Sequence, residues 1–354
     1  MVTKQRNSAI ELLRIIAMIM ITFHHFACHG GFEYIASDFS IPHLWYSLIL
    51  MGGKIGVDIF VLISGYFLIK DDRSVFNLKR ILKFWGQIFF YSVVIYLIFL
   101  ICGIEQFDFE TFIKILTPIT SSEWWFASTY FVLYLIHPFL NKMLTNLTRK
   151  NYQILLVIAL ASWCLIPTLT GLSFQGNSLI WFITLYALAG YIQIYNFKFN
   201  FTSKQYFVMA AACLFITYMS SVMLAWLGTK WDFFADDIFY FYGQEKLPVV
   251  LSAISIFMAF ATSKLHYRKS INIIASATFG VYLIHDNSLV RTFLWETVFH
   301  NSTYQNSLWL IPVSIVAVAV VFTTCVFIDI IRQRFIEKPY IKFLDHCLDA
   351  KKSV

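Results

Sequence analysis

Long apolar runs separated by short polar stretches dominate this chain of 354 residues. An apolar run of about 17–25 residues is long enough for a helix to cross the roughly 30 Å hydrocarbon core of a bilayer. Ten such segments occur, centred near residues 18, 60, 94, 133, 162, 188, 216, 255, 282 and 320. The pattern therefore predicts an all-α membrane protein with about ten transmembrane helices.

The Lys and Arg residues predict how these helices are oriented. If the N-terminus is cytoplasmic, 21 of the 27 Lys and Arg residues fall in cytoplasmic segments and three fall in outer loops. The outer three are Lys114, Lys230 and Lys246, and the three inside apolar segments are Arg14, Lys54 and Arg291. Because cytoplasmic loops carry an excess of positive residues, this bias predicts that both termini are cytoplasmic.

A single integral domain is the simplest organisation for this composition. Hydrophobic residues make up 59% of the chain and charged residues 13%, whereas soluble domains carry about 25% charged residues. The first segment has the basic start of a signal peptide, but Glu11, Arg14, His24 and His25 interrupt it and no A-x-A cleavage site follows. We predict one membrane domain over residues 1–345 and a short cytoplasmic tail over residues 346–354.

The net charge of +7 and the six cysteines do not change this picture. The basic residues form short clusters between apolar segments, which is typical of cytoplasmic loops rather than of a nucleic-acid-binding surface. The cysteines show no CxxC pair or metal-ligand spacing and mostly lie in apolar runs, so we interpret them as packing residues. The sequence predicts neither a nucleic-acid partner nor a metal site.

The first segment places ionisable side chains at membrane depth, where each charge costs at least about 2.5–3.5 kcal/mol. Arg14 and His25 are eleven positions apart. On a helix they lie within about 20° of one face and about 16 Å apart along the axis, whereas His24 is rotated by about 80°. We therefore prefer His25 as the chemical group, since an imidazole accepts a proton near working pH.

The alternative for this segment assigns no chemistry to it. Arg14 can extend to the cytoplasmic surface and pair with Glu11, while the two histidines lie in the outer headgroup region. Position alone leaves both interpretations open.

A basic cluster follows the second segment and contains Lys79, Arg80 and Lys83. Cations one helical turn apart suit a clamp for the phosphates of a nucleotide-bearing donor that arrives from the cytoplasm. Such a cluster is also typical of a topology signal that contacts anionic lipid. The residues leave both interpretations open.

Two further apolar segments carry polar residues. Ser64 and Gly65 offer a hydroxyl and close backbone approach, or else form a small-residue notch for helix packing. The ninth segment contains Tyr282 and places His285 near mid-membrane, where it is either functional or satisfied by an interhelical hydrogen bond. His137 lies near the cytoplasmic end of the fourth segment, and we interpret it as interfacial.

Six motifs occur in one order along nearly the whole chain. They are residues 11–14 with His25, residues 56–66, Arg80 with Lys83, residues 125–138, residues 280–285, and Glu337-Lys338-Pro339. In this order they resemble the acyltransferase-3 family of integral membrane acyltransferases. The Arg-x10-His spacing is a weak pattern by itself, but the six motifs together are specific.

The resemblance implies a multi-pass enzyme of the plasma or inner membrane. Such an enzyme moves an acyl group, usually acetyl from acetyl-CoA, to a hydroxyl of an extracytoplasmic carbohydrate such as a cell-envelope polysaccharide or its lipid-linked precursor. Its expected partners are acyl-CoA as co-substrate, the carbohydrate acceptor and membrane lipid, with no permanently bound cofactor.

The resemblance also implies roles for particular residues. Arg14 and His25 correspond to the catalytic pair of the family. Arg80 and Lys83 stand where the family has Arg-x-x-Arg for donor binding, and Gly86 stands where a proline often follows. The lysine keeps the charge but loses the bidentate phosphate geometry of arginine.

The mechanism that follows has His25 as general base toward the acceptor hydroxyl, either for direct attack on the thioester, which we prefer, or for transfer through an acyl-enzyme. Ser64, Gly65, Tyr282 and His285 are candidates for supporting His25 or stabilising an oxyanion. A proton-coupled transporter or flippase is the competing class, since buried Arg, His and Asp also occur in such carriers. The lack of an inverted repeat favours the enzyme, and retention of Arg14 with His25 disfavours a sensor that has lost its chemistry.

Overall fold

The computed structural model describes residues 7–34, 38–71, 77–172 and 176–350, with side chains as far as residue 348. The regular elements in these residues are helices. They are α1 (Ser8–Cys28), α2 (Ile41–Leu68), α3 (Leu78–Ile101), α4 (Phe109–Leu116), α5 (Trp125–Thr145), α6 (Arg149–Leu160), α7 (Ile166–Thr170), α8 (Ser178–Ile194), α9 (Ser203–Gly228), α10 (Leu247–Ala261), α11 (Lys269–Ser276), α12 (Thr278–His285), α13 (Ser288–Thr292), α14 (Leu310–Arg332) and α15 (Lys338–Ala350). Short π-helical turns occupy Ala161–Leu165, Phe293–Val298 and Gln333–Glu337.

The predicted all-α membrane class is confirmed, and all ten predicted segment centres lie in helices. Seven helical stretches are long and apolar enough to cross a membrane, and a bent pair raises the number to eight. The other two predicted segments are α5, which contains Pro138 and Lys142, and α8, which has only 17 residues. A helix of that length extends about 26 Å. The chain is therefore a multi-pass membrane protein.

Parts of the predicted topology lie at the edges of the described residues. The basic residues of the N-terminal stretch, residues 1–6, and Arg73 lie outside the described residues, as do residues 351–354 of the predicted tail. The proposed boundary between residues 345 and 346 falls inside α15. The two-part division and the cytoplasmic termini stay predictions.

Helix α1 lies inside the helix bundle. Asn7 caps its N-terminus by accepting a hydrogen bond from a backbone N–H two residues on. The glycines of α2 allow α1 to approach closely: a Cβ at Gly56 would lie 2.7 Å from the carbonyl oxygen of Ala17, and one at Gly53 would overlap the His24 ring. The two helices consequently pack backbone to backbone, as membrane helices with small interface residues do.

The outward faces of several helices are apolar and exposed. On α9 these side chains include Val208, Phe215 and Ile216, and on α14 they include Val316 and Phe327. An exposed apolar surface of this extent is typical of contact with lipid rather than with water.

Two interruptions shape the C-terminal half of the fold. The stretches Lys269–His285 and Ser288–Val298 meet at 78°, so α12 ends inside the bundle at His285. The π-helical turn Gln333–Glu337 joins α14 to α15. Irregular backbone at membrane depth is tolerated where protein buries it or where it lines a cavity, and π-helical turns often occur at functional sites.

Candidate active site

A cavity of about 360 Å³ lies between α1 and the surrounding helices. It follows α1 from Arg14 to His25, about three helical turns. Its polar lining side chains include Arg14, His24, His25, Lys54, Ser64, Lys83, Gln87, Tyr130, Ser276, Thr278, Tyr282, Arg332, Gln333 and Glu337. The two residues predicted to form the catalytic pair therefore face one cavity.

His285 is hydrogen-bonded to the Nδ1 side of the His25 imidazole. Nδ1 of His25 lies 2.9 Å from Nε2 of His285, and Nδ1 of His285 lies 2.6 Å from the carbonyl oxygen of Val281. A carbonyl oxygen only accepts hydrogen bonds, so Nδ1 of His285 carries a proton. When both rings are neutral, Nε2 of His285 accepts from Nδ1 of His25. The lone pair of His25 is then on Nε2.

Asp286 and His29 stand beside the same edge of His25. The Asp286 Oδ1 atom lies 3.5 Å from Nδ1 of His25 and 3.4 Å from Nε2 of His29, and it has no hydrogen-bond partner among the described residues. Neither residue lines the cavity, whereas His25 does. On its Nδ1 side, His25 therefore has His285 and Asp286 as polar neighbours. Its Nε2 atom is left for a group in the cavity.

Within the described part of the chain, one group of side chains has ligand atoms close enough together for a metal ion. It consists of His25, His29 and Asp286. Their ligand atoms lie within 4.8 Å of one another. Imidazole and carboxylate groups suit zinc or another transition metal. A metal on Nδ1 of His25 would displace its hydrogen bond to His285, so the two arrangements exclude each other.

His24 lines the cavity as well, despite its rotation from the Arg14 face. Its Nδ1 lies 2.6 Å from the carbonyl oxygen of Leu50, to which it donates. His24 is thus hydrogen-bonded to the α2 backbone, whereas His25 contacts two titratable side chains, His285 and Asp286. The choice of His25 over His24 as the chemical group stays a prediction.

The opposite end of the cavity is held together by ion pairs. Glu337 accepts from Lys83 at 2.7 Å through Oε1 and from Arg332 at 2.8 Å through Oε2. Arg332 is buried and also contacts Oδ1 of Asp329 at 2.7 Å. A second cavity of about 380 Å³ shares Lys83, Gln87, Arg332 and Glu337 with the first. The charged cluster of Lys83, Arg332 and Glu337 therefore lies between the two cavities.

The cavity lining is cationic overall. Four Lys or Arg side chains line it together with one carboxylate, that of Glu337. The Nε atom of Arg14 is buried and has no hydrogen-bond partner among the described residues. A cationic cleft with low-dielectric walls concentrates anionic ligands.

The candidates for oxyanion stabilisation have different surroundings. Tyr282 lines the cavity, and its buried hydroxyl has no hydrogen-bond partner within the described residues. Ser64 donates to the carbonyl oxygen of Phe60 at 2.8 Å and accepts from Tyr130. Gly65 is not part of the lining; a Cβ there would lie 2.8 Å from the backbone of Tyr186. Its position fits the packing notch, and the oxyanion roles stay predictions.

The two predicted donor residues have different surroundings. Lys83 lines the cavity, but Arg80 does not, and its Nη1 lies 2.8 Å from Oδ2 of Asp71. Donor binding by Arg80 and Lys83 stays a prediction. His137 is buried in α5, and its Nδ1 donates to the carbonyl oxygen of Tyr134 at 2.5 Å.

Several residues of this site have no role predicted from the sequence. His29 follows His25 by four positions, the spacing that places two side chains on one helix face. Asp329 and Arg332 interrupt an apolar run at the end of the last segment, where an ionisable pair three positions apart is a signal. For Lys54 the sequence predicts only a charge inside an apolar segment.

Comparison with known proteins identifies the family. No curated protein and no solved structure matches the chain. The family model described as an acyltransferase domain, that of the acyltransferase-3 family, matches residues 7–330. This range contains α1, the broken span and nearly all of α14, and so most of the cavity walls. The chain therefore belongs to the acyltransferase-3 family and is a membrane-bound member of it.

Proposed function

We propose that this protein transfers an acyl group, most simply acetyl, from cytoplasmic acyl-CoA to a hydroxyl of an extracytoplasmic carbohydrate. The observation that carries the proposal is the 2.9 Å contact between Nδ1 of His25 and Nε2 of His285, which leaves Nε2 of a cavity-lining imidazole free to accept a proton. The family membership supports acyl transfer as the reaction class.

The charged end of the cavity supports a polyanionic donor. The side chains placed to attract the phosphates of coenzyme A are Arg14, Lys83 and Arg332. In this structure Lys83 and Arg332 form ion pairs with Glu337. The distance of about 16 Å along α1 from Arg14 to His25 is comparable to the reach of a pantetheine arm. The thioester then lies beside His25 while the phosphates stay at the charged end.

The reaction balances without a further reagent. Nε2 of His25 takes the proton of the acceptor hydroxyl while the oxygen attacks the thioester carbonyl carbon. A carbon–oxygen bond forms, the carbon–sulfur bond breaks, and the coenzyme A thiolate takes the proton back from His25. Tyr282 is the proposed donor to the transient oxyanion, because this residue lines the cavity and its hydroxyl has no hydrogen-bond partner within the described residues.

The proposed topology joins two compartments. The excess of Lys and Arg in predicted cytoplasmic segments supports cytoplasmic termini and a donor entrance on that side. We place the protein in the plasma or inner membrane, with acyl-CoA as co-substrate and a cell-envelope glycan or its lipid-linked precursor as acceptor.

The test uses the full chain purified in lipid nanodiscs with acetyl-CoA and hydroxyl-bearing oligosaccharides. We expect acceptor-dependent release of the CoA thiol and an O-acetylated product detected by mass spectrometry. His25→Ala is expected to lower the rate by about 10²–10⁴-fold. The matched control is His266→Ala, at an exposed histidine outside the cavity.

Two outcomes would contradict the proposal. Full acyl transfer by His25→Ala would remove the general base. A glycan flux across the bilayer without any CoA release would identify a carrier instead of an enzyme.

A further inference from the structure

Lys54 is a cation of α2 that the mechanism above does not use. It lines the cavity together with His24 and His25, and its Nζ atom lies 4.8 Å from the centre of the Trp125 ring. The next residue toward the N-terminus, Gly53, packs against His24. Lys54 therefore lies at the histidine end of the cavity.

No carboxylate of the described chain lies within ion-pair distance of Lys54, and the buried Asp58, one helical turn further along α2, interacts with it only at longer range. Lys83 and Arg332 share Glu337 at the other end, whereas no Asp or Glu within the described residues forms an ion pair with Lys54. A cation at membrane depth is costly, and it is retained where it faces a cavity or meets a partner. The contact with Trp125 compensates part of this cost but leaves the positive charge available.

The position of Lys54 limits which anion can reach it. In the proposed function the donor phosphates remain at the end lined by Lys83 and Arg332, while the thioester lies beside His25. The anion that meets Lys54 must then belong to a group near the reacting carbonyl. That group is either the transferred acyl chain or the acceptor sugar.

We propose that Lys54 is a specificity-determining residue that binds a carboxylate brought into the cavity by a substrate. A uronic acid in the acceptor, or the free acid of a dicarboxylic acyl group, would supply it. This inference rests on the proposed function. The ammonium group is a compact point charge with three donors, which suits a carboxylate that approaches from the cavity.

The experiment compares the wild type with Lys54→Met, which keeps length and loses charge, and Lys54→Arg, which keeps the charge. Lys230→Met, at an exposed lysine outside the cavity, is the matched control. One arm pairs a glucuronate-terminated oligosaccharide with its glucose-terminated counterpart. The other pairs succinyl-CoA with acetyl-CoA.

Lys54→Met should raise KM by at least about tenfold for the carboxylated member of one pair and change the neutral member little. Lys54→Arg should recover most of that difference. The arm that responds identifies the source of the carboxylate. Equal losses for charged and neutral substrates would overturn the inference, because Lys54 would then act on the reacting centre or on the fold. A KM in Lys54→Met that is unchanged from the wild type for every substrate would overturn it as well.

Direct binding separates this inference from the proposed function. Calorimetric titration of the same four ligands needs no acyl transfer. A carboxylate preference that disappears in Lys54→Met, in a protein that releases no CoA, would retain the Lys54 site and refute the acyltransferase assignment. CoA release with no carboxylate preference in binding would retain the acyltransferase assignment and refute the Lys54 site.

Discussion

Nδ1 of His25 on α1 lies 2.9 Å from Nε2 of His285 at the end of α12, 260 positions later in the chain. The contact is buried, and the carbonyl oxygen of Val281 fixes the proton on the far nitrogen of His285. The tautomer of His25 is thus set by the C-terminal half of the protein.

The first prediction follows from this contact. His285→Leu removes the acceptor for Nδ1–H of His25 and is expected to lower kcat by at least about tenfold with little change in KM for acyl-CoA, because a wrongly oriented base affects the chemical step. His285→Gln offers an amide oxygen at a similar position and should recover part of the loss. Steady-state kinetics check this, and a leucine variant with wild-type kcat would contradict it.

A second prediction concerns the charged end of the cavity. Lys83→Met and Arg332→Met should each raise KM for acyl-CoA by about tenfold or more while changing KM for the acceptor less, since charge-assisted contacts to phosphate are lost. Arg80→Met should have the smaller effect on acyl-CoA, because Arg80 pairs with Asp71 outside the cavity lining. If Arg80→Met proves the more damaging substitution, the clamp predicted from the sequence would be preferred.

A third prediction tests the metal alternative at His25, His29 and Asp286. With Nδ1 of His25 bonded to His285, treatment with a chelator such as EDTA should leave acyl transfer unchanged. Elemental analysis of the purified protein accompanies the assay. Activity that falls on chelation and returns with zinc would show that the cluster is a metal centre rather than a hydrogen-bonded chain.

A fourth prediction concerns the packing of α12 against α14. A side chain at Gly280 would overlap the carboxyl group of Asp329, which accepts from Tyr91 at 2.7 Å and pairs with Arg332. Gly280→Ala should therefore destabilise the protein by about 1–3 kcal/mol. Thermal unfolding in nanodiscs measures the loss of stability. Gly103→Ala is the control substitution, because a Cβ at Gly103 would meet no atom within 4 Å. Gly103 has a positive φ, so its own cost comes from backbone strain alone.

Sequence reasoning was sufficient for the features that depend on one helix. Apolar runs located the helices because burial in lipid demands long uninterrupted apolar segments. The spacing of Arg14 and His25 placed both on one cavity because helical periodicity is fixed. The sequence predicts the ninth segment as a single span, because its apolar composition does not reveal the bend of 78°.

Features that depend on contacts between distant helices were not accessible in the same way. Whether Arg80 or Lys83 reaches the cavity depends on where Asp71 and Glu337 lie, and these carboxylates come from different parts of the chain. The pairing of Asp286 with His29 likewise requires the end of α12 to meet the end of α1. A single sequence does not specify such pairings, because several cations and carboxylates compete for each partner.

The glycine seam between α1 and α2 has a consequence for motion. Because Gly52, Gly53 and Gly56 let α2 approach α1 closely, a tilt of either helix toward the other would bring their atoms into overlap. The facing wall at the charged end is formed by the π-helical turn Gln333–Glu337, whose hold on α3 is the ion pair of Glu337 with Lys83. Displacement of this C-terminal turn would separate the ion pair of Glu337 with Lys83 and would leave the close contact between α1 and α2 in place.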